Sequence, residues 1–415
     1  MTGWLVVAVF ALTYAGMAAG RVPGFGLDRA GLALVAVAIL LAAGAADTAA
    51  LTGAIDAPTL LILFGLMLLS GQFAVSGFYD ACALRIASAR RSPLALLALT
   101  VGVSGGLSAL LANDIVVYAM TPLLCQGIAA RGLDPRPYLI ALAASANAGS
   151  AATIIGNPQN IVIGQAGDLA FWPFVAVCGP PALAAMGLVL VVVGWQWRGR
   201  MVVEAPVTVP AVAAGVSLSA LDRPAVAKGL AGMVALLALF AAPVPHEAGV
   251  LAIAAAMLTS RRRRSRDLLG SVDWGLLVLF ACLFALNGAF AATGLPARAL
   301  AGLAESGLLP DRLSVLAPLS LLASNTIGNV PTVVMLLSVW PDPPAGALTA
   351  LALLSTLAGN LLLVGSLANL IVAERAAQVG VRLGFMDHAR AGVPITIASL
   401  VLAGGWLYIW GIINW

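Results

Sequence analysis

The chain has 415 residues, 61% hydrophobic and only 9% charged, with a net charge of +4. Soluble domains carry about 25% charged residues, and the mean hydropathy here is +1.04. This composition excludes a soluble enzyme and leaves no room for a separate soluble domain. The basic residues are distributed among loops, so the net charge does not point to a nucleic-acid partner. Apolar runs near the ~20 residues that cross a bilayer recur from end to end, which predicts an all-α polytopic membrane protein.

In chain order, spans are expected at about 4–20, 30–46, 58–78, 138–165, 170–196, 225–242, 247–260, 272–294, 347–372 and 392–412. Trp4 to Gly20 lacks a basic flank and a cleavage site, so it reads as a first span and not a removed signal. Two further apolar stretches, 93–124 and 315–339, are broken in the middle by polar residues. The longest polar stretch, about 198–223, reads as a linker. Cys82, Cys125, Cys178 and Cys282 are far apart and form no CxxC, so neither a disulfide framework nor a zinc site is indicated. His246 and His388 read as loop residues outside any metal cluster. Lys228 is the only lysine, and Gly229 follows it, so no GxxxxGK[ST] loop exists. Transport by this chain would therefore draw on ion or substrate gradients, or on a separate ATPase. An intramembrane enzyme is not expected, on the reading that the chain carries no HExxH, GxSxG or paired-aspartate arrangement.

The sequence repeats. Asp56, Gly71, Phe73 and Gly77 meet Asp273, Gly288, Phe290 and Gly294 at a shift of 217. Asn113 meets Asn329 at 216, and Gly156 and Asn160 meet Gly365 and Asn369 at 209. The chain thus divides into a first repeat, 1–200, a linker, 201–224, and a second repeat, 225–415. Positive charge favours the cytoplasmic side of short loops. If both broken stretches are re-entrant hairpins, 19 of the 21 basic residues fall on one side; if both cross, the split is 10 against 11. The hairpin arrangement follows, with about ten spans, two hairpins and two halves of inverted orientation. Inverted repeats with broken helices at the midplane are a secondary-transporter architecture.

The polar breaks carry the chemistry. Unpaired polar groups in hydrocarbon cost several kcal/mol, so they face a cavity or the protein interior. In Gly156-Asn157-Pro158-Gln159-Asn160, Pro158 lacks an N–H and forces the helix to open or kink, and Asn157 and Asn160 are suited to cap the new ends. The second half offers Ser324-Asn325-Thr326 through Asn329 and Thr332, then Ser355-Thr356 and Asn360 through Ser366 and Asn369. Asp114, beside Asn113, is the one acid placed inside a membrane segment. It either ligates a cation, takes up a proton or pairs with a neighbouring amide.

Together these motifs resemble the ion transporter superfamily, which includes arsenite-pump membrane subunits, citrate–metal transporters, sodium/proton antiporters and divalent anion–sodium symporters. The resemblance implies two hairpins meeting two broken helices, elevator-type alternating access, a homodimer, and a multi-pass place in the bacterial inner (cytoplasmic) membrane. The dicarboxylate branch carries Ser-Asn-Thr at both tips, whereas the first tip here is Ala112-Asn113-Asp114. The expected function is secondary active transport of a small inorganic or organic anion, driven by sodium or protons, with no other cofactor. Asn113, Asp114, Asn157 and Asn160 would form one half-site, with sodium possible at the first three. Asn325, Thr326, Asn329, Asn360 and Asn369 would form the other. The alternatives are a sodium/proton antiporter, with Asp114 exchanging, and an arsenite or antimonite efflux permease.

Overall fold

The computed structural model describes residues 2–19, 26–89, 91–202, 221–242, 244–260, 264–340 and 342–415. Most of the expected linker, together with Arg21, Arg90 and Arg261 to Arg263 of the basic count, lies outside the described residues. The described residues are all-helical, with two isolated β-bridges and no strands.

The first half runs α1 (Thr2–Ala19), α2 (Arg29–Ala42), α3 (Thr48–Gly53), α4 (Ala57–Val75), α5 (Phe78–Ser88), α6 (Pro93–Leu110), α7 (Asn113–Ala129), α8 (Pro135–Ser150), α9 (Pro158–Ala166) and α10 (Phe171–Gln196). The second half repeats this order as α11 (Arg223–Ala241), α12 (His246–Leu258), α13 (Ser265–Leu269), α14 (Trp274–Ala291), α15 (Leu295–Glu305), α16 (Leu313–Thr326), α17 (Asn329–Val339), α18 (Ala345–Ala358), α19 (Leu367–Gln378) and α20 (Phe385–Ile409). Among the described residues, six of these helices are long and apolar enough to cross a membrane alone: α4, α6, α10, α11, α14 and α20.

The repeat extends to helix ends. Asp56 caps α4 by accepting from Thr59 N at 3.2 Å, and Asp273 caps α14 by accepting from Leu276 N at 2.9 Å. Side-chain oxygens at this position satisfy amides that a helix start leaves free. Gly77 and Gly294 then turn the chain into α5 and α15 with φ of 73° and 72°.

Both broken stretches return to their own side. At the base of the first, Arg131, just past α7, donates to the carbonyls of Ala89 and Arg91 just before α6, at 2.5 and 3.2 Å. Tyr138, at the start of α8, donates to Pro93 O at 3.1 Å. Asp134 N reaches Met201 O beyond α10 at 2.9 Å. The hairpin base, the start of α8 and the end of α10 therefore share one face, which carries Arg91, Arg131, Arg136, Arg198 and Arg200. In the second half, Leu313 N at the start of α16 bonds Asn414 O beyond α20 at 2.7 Å. Trp340, at the end of α17, lies with Asp168 beyond the far end of α9. The second hairpin thus opens toward the other face, as inversion requires.

The helices sort into two packed groups. α1, α2, α4, α11, α12 and α14 pack among themselves, while the hairpins, α8–α10 and α18–α20 pack around one another. The groups meet chiefly where α14 lies on α17 and α4 lies on α9 and α7. The most extensive helix pair is α6 on α8, and two glycines allow it. A Cβ on Gly149 would overlap the backbone of Gly105, and there is no side chain to move aside. Gly149→Ala is expected to cost about 1–3 kcal/mol through overpacking. Thermal unfolding in detergent checks this, with Gly106→Ala, whose Cβ meets open space, as the neutral comparison.

Candidate functional site

The two breaks meet in the centre of the molecule. α8 ends at Ser150, earlier than a kink at Pro158 implies, and residues 151–157 are unwound before Pro158 opens α9 at a first-turn position. This is where proline costs nothing, because its missing N–H would be unpaired anyway. In the second half, residues 359–366 separate α18 from α19 and include a 3₁₀ turn at Leu363–Gly365. Asn157 Oδ1 caps α9 through Asn160 N at 2.9 Å, and Ser366 Oγ caps α19 through Ala368 N at 3.2 Å.

Each break is held open by the same device. Asn160 Nδ2 donates to Ser150 O and Thr153 O at 3.3 and 2.9 Å. Asn369 Nδ2 donates to Gly359 O and Leu362 O, each 209 positions further along, at 2.9 and 3.1 Å. One carboxamide thereby satisfies two carbonyls that unwinding has orphaned. Each break is then tied to the opposite half. Asn147 of α8 donates to Asn369 Oδ1 at 3.1 Å and to Asn360 Oδ1 at 2.8 Å. Its counterpart at the same shift, Thr356 of α18, lies 3.3 Å from Asn160 Oδ1 and accepts from Asn157 and Gln159 at 3.3 and 3.2 Å. Ser366 Oγ and Asn113 Nδ2 converge on Asn147 Oδ1 at 2.9 and 3.5 Å.

The hairpin tips dock on these breaks. Asn113 N reaches Gly156 O at 3.4 Å, and Thr153 Oγ1 donates to Ala109 O at 2.5 Å. On the other side, Asn325 Nδ2 donates to Ala358 O at 2.9 Å, and the Asn329 amide sits against Gly359.

Two cavities flank the first tip. One, of about 500 Å³, is lined among others by Asp80, Asp114, Tyr118, Asn157, Asp273 and Arg375. The other, of about 330 Å³, is lined by Asp28, Arg29, Asn113, Asp114, Asn147, Asp273, Asn329, Ser366 and Glu374 among others. Asp114 lines both, and its carboxylate makes no hydrogen bond or ion pair with any described residue. The pairing of Asp114 with a neighbouring amide, one of the sequence alternatives, is thus not what the side chain does here. Both cavities lie against the start of α14 and against α19, and the second also lies against the start of α2.

Of the fourteen candidate residues, Asn113, Asp114, Asn157, Asn329 and Ser366 line a cavity. Asn160, Thr356, Asn360 and Asn369 form the bracing network behind it. Asn325 ties its tip to α18, and Thr332 donates to Gly328 O at 2.8 Å within its own hairpin. Ser324 and Ser355 are buried with unpartnered hydroxyls. Thr326 is exposed and bonds only carbonyls of its own helix, so it stands apart from the rest.

Sequence reasoning missed Asn147, Gln159 and His388. For Asn147 the signal was present: the 209 shift places it opposite Thr356, already a candidate. His246 and His388 are helical residues and not loop residues. His388 is fully buried on α20, with Nε2 at 3.2 Å from Asn360 O and 3.4 Å from Asn369 Nδ2. The expectation that no GxSxG string occurs is corrected by the sequence itself, since Gly102-Val103-Ser104-Gly105-Gly106 spells it. It lies inside α6 and not on a strand-to-helix turn, and Ser104 is buried, bonding Thr100 O at 2.7 Å and Ser145 Oγ at 2.5 Å. The exposed nucleophile of that motif is therefore absent.

Residues 14–342 match the citrate transporter family. The chain belongs to that family. Among similar proteins, an uncharacterized transporter of Mycobacterium tuberculosis is 30% identical over 98% of this chain and 97% of its own. The silicon efflux transporter LSI3 of Oryza sativa is 28% identical over 83% of this chain and 84% of its own. Among solved structures, the YdaH transporter of Alcanivorax borkumensis superposes with a TM-score of 0.55 at 15% identity, covering 99% of this chain and 97% of that one. The citrate transporter family member described here therefore shares that transporter's fold and is itself a polytopic membrane transporter.

Proposed function

We propose that this chain is a secondary active transporter for a small acidic solute, coupled to a sodium ion or proton carried at Asp114. The observation that supports this most is the free Asp114 carboxylate at a hairpin tip, open to two cavities and one residue from the braced breaks. A membrane-embedded acid without a partner marks an ion or proton path. The family is named for citrate and one relative for silicon efflux, which supports a small solute as cargo.

The cavity walls restrict the charge of that solute. Asp28, Asp80, Asp114, Asp273 and Glu374 outnumber Arg29 and Arg375. A multiply charged anion entering alone meets like charge, so the solute enters with its charge reduced by protons or by a bound cation. The face carrying most of the basic residues is cytoplasmic under the positive-inside rule, and the cavities open toward it. Residues 1–200 and 225–415 are the two repeats. The hairpins and broken helices move as one body against the packed group of α1, α2, α4, α11, α12 and α14.

The test is flux in proteoliposomes holding a pH-sensitive dye. Sodium and proton gradients are imposed separately, first with no solute, then with citrate, phosphate, arsenate or arsenite. Solute uptake that depends on one gradient is the expected result, and uptake indifferent to both overturns the reading. The proximity of the Asp114 and Asp273 walls also favours a second reading, sodium/proton antiport. It predicts proton movement on adding sodium alone.

A further inference from the structure

Arg29 has no role in the coupling scheme above, yet it occupies the cavity. It begins α2, behind the capping residue Asp28, whose carboxylate accepts from Gly31 N at 2.7 Å. α2 packs on α1 and α14, away from the hairpins. The guanidinium nevertheless reaches the second hairpin tip, because a Cβ on Gly328 would stand 2.8 Å from Arg29 Nη1. Gly328 has φ of +96°, a conformation that side chains resist, so the backbone here calls for glycine.

Arg29 makes no hydrogen bond or ion pair with any described residue. Arg375, which lines the neighbouring cavity, is partly engaged: it lies over the Tyr118 ring at 4.1 Å and donates to Gln378 Oε1 at 2.7 Å, while its buried Nε has no partner. A guanidinium carries five donors in a plane that matches an oxyanion. In the same cavity of about 330 Å³, the Asn113 and Asn329 side-chain oxygens are buried and accept nothing. The residues lining this cavity therefore carry unused donors with positive charge and unused neutral acceptors together. Buried groups left unpaired are costly, which marks them as awaiting a ligand.

We propose that Arg29, Asn113 and Asn329 form a two-ended subsite for a singly charged oxyacid that retains O–H groups. Its anionic oxygens bind the Arg29 fork, and its hydroxyl hydrogens bind Asn113 Oδ1 and Asn329 Oδ1. This rests on the transport reading and narrows its substrate class. A fully ionised oxyanion brings no hydrogen for the two asparagine oxygens and adds charge beside Asp28, Asp114, Asp273 and Glu374. A neutral acid satisfies the asparagines but leaves the fork unused. Because Arg29 belongs to one packed group and both asparagines to the other, the subsite is complete only when the groups stand as they do here, which makes it the binding site of this open state.

Calorimetry on the purified full chain at pH 6 tests the proposal with inorganic phosphate, which keeps O–H groups there, sulfate, which does not, and neutral boric acid. Phosphate is expected to bind about tenfold or more tightly than sulfate. Arg29→Gln is expected to weaken phosphate about tenfold or more and leave boric acid unchanged, with Arg29→Lys between the two. Unchanged melting temperatures in both variants show that the fold is intact. Equal binding of phosphate and sulfate, no binding of phosphate, or an Arg29→Gln protein that binds phosphate normally overturns the assignment. Gradient-driven flux by the unmutated chain separates the two readings. If flux persists while Arg29→Gln binds phosphate as tightly as the unmutated chain, the subsite falls and transport stands. If no gradient drives any solute, the transport reading falls whatever the calorimetry shows.

Discussion

Asp114→Asn is expected to lower gradient-driven uptake at least severalfold while leaving the protein folded. The substitution keeps shape and size and removes only the charge. No described residue pairs with the carboxylate, so its loss strands no partner, and the melting temperature should stay close to that of the unmutated chain. Coupling between two ligands is a free energy of typically 1–3 kcal/mol, so uptake on an imposed gradient should fall by about 5- to 150-fold. The variant also separates the two coupling ions. An asparagine resembles a protonated carboxyl. If protons are the coupling ion, solute-for-solute exchange without a gradient survives and only net uptake is lost. If sodium is the ion, its ligand is gone, and exchange and net uptake fall together. Uptake that remains gradient-dependent in Asp114→Asn would remove Asp114 from the coupling path. Proton movement on sodium alone that disappears in the variant would establish antiport.

The architecture was legible in the sequence because its strongest signals are local and repeated. The apolar run lengths, the polar interruptions and the one-sided distribution of basic residues each follow from the cost of placing polar groups in hydrocarbon, and together they gave the spans, the two hairpins and the inversion. The identity of the breaks was legible for the same reason, since Gly156 to Asn160 and Ser366 to Asn369 interrupt runs that are otherwise apolar. What could not be read was which polar groups face outward from the bracing network into the cavity. Asn160 and Asn113 look alike in sequence. One spends both amide hydrogens on carbonyls of its own break, and the other lines the cavity and keeps a buried oxygen that accepts nothing. That difference is set by the docking of the hairpin tip on the break, where Asn113 N meets Gly156 O, a contact between distant positions with no local trace. Arg29 was hidden for a related reason. As a charge at a helix start it reads as a topology anchor, and only the folded chain brings it against Gly328. Thr326 shows the converse, since the Ser-Asn-Thr string placed it in the site, whereas its position on α16 turns its hydroxyl back onto its own helix.

Asn369→Asp and Asn160→Asp are expected to fail in the same way and to the same degree. Asn369 is fully buried, and its amide nitrogen donates to Gly359 O and Leu362 O. Its oxygen accepts from Asn147. An aspartate keeps the acceptor for Asn147 but offers no hydrogen to the two carbonyls, and it places negative charge against their oxygens. A buried acceptor left without its donor costs about 1–3 kcal/mol, so two such losses in one break approach a large part of a domain's stability of roughly 5–15 kcal/mol. Asn160 stands in the same relation to Ser150 O and Thr153 O, and its oxygen faces Thr356. Lower unfolding temperatures and lost uptake in both variants, measured by tryptophan fluorescence in detergent and by flux in proteoliposomes, are the expected outcome. Asn160→Leu and Asn369→Leu remove the donors without adding charge, so they should be destabilised less than the aspartate variants. A stable, active Asn369→Asp would show that the second break does not depend on its carboxamide. An unequal pair would show that the breaks, though related by the repeat, carry different loads. Equal failure would mean that each broken helix of this transporter holds its opening through the one carboxamide that bridges it, Asn160 in the first half and Asn369 in the second.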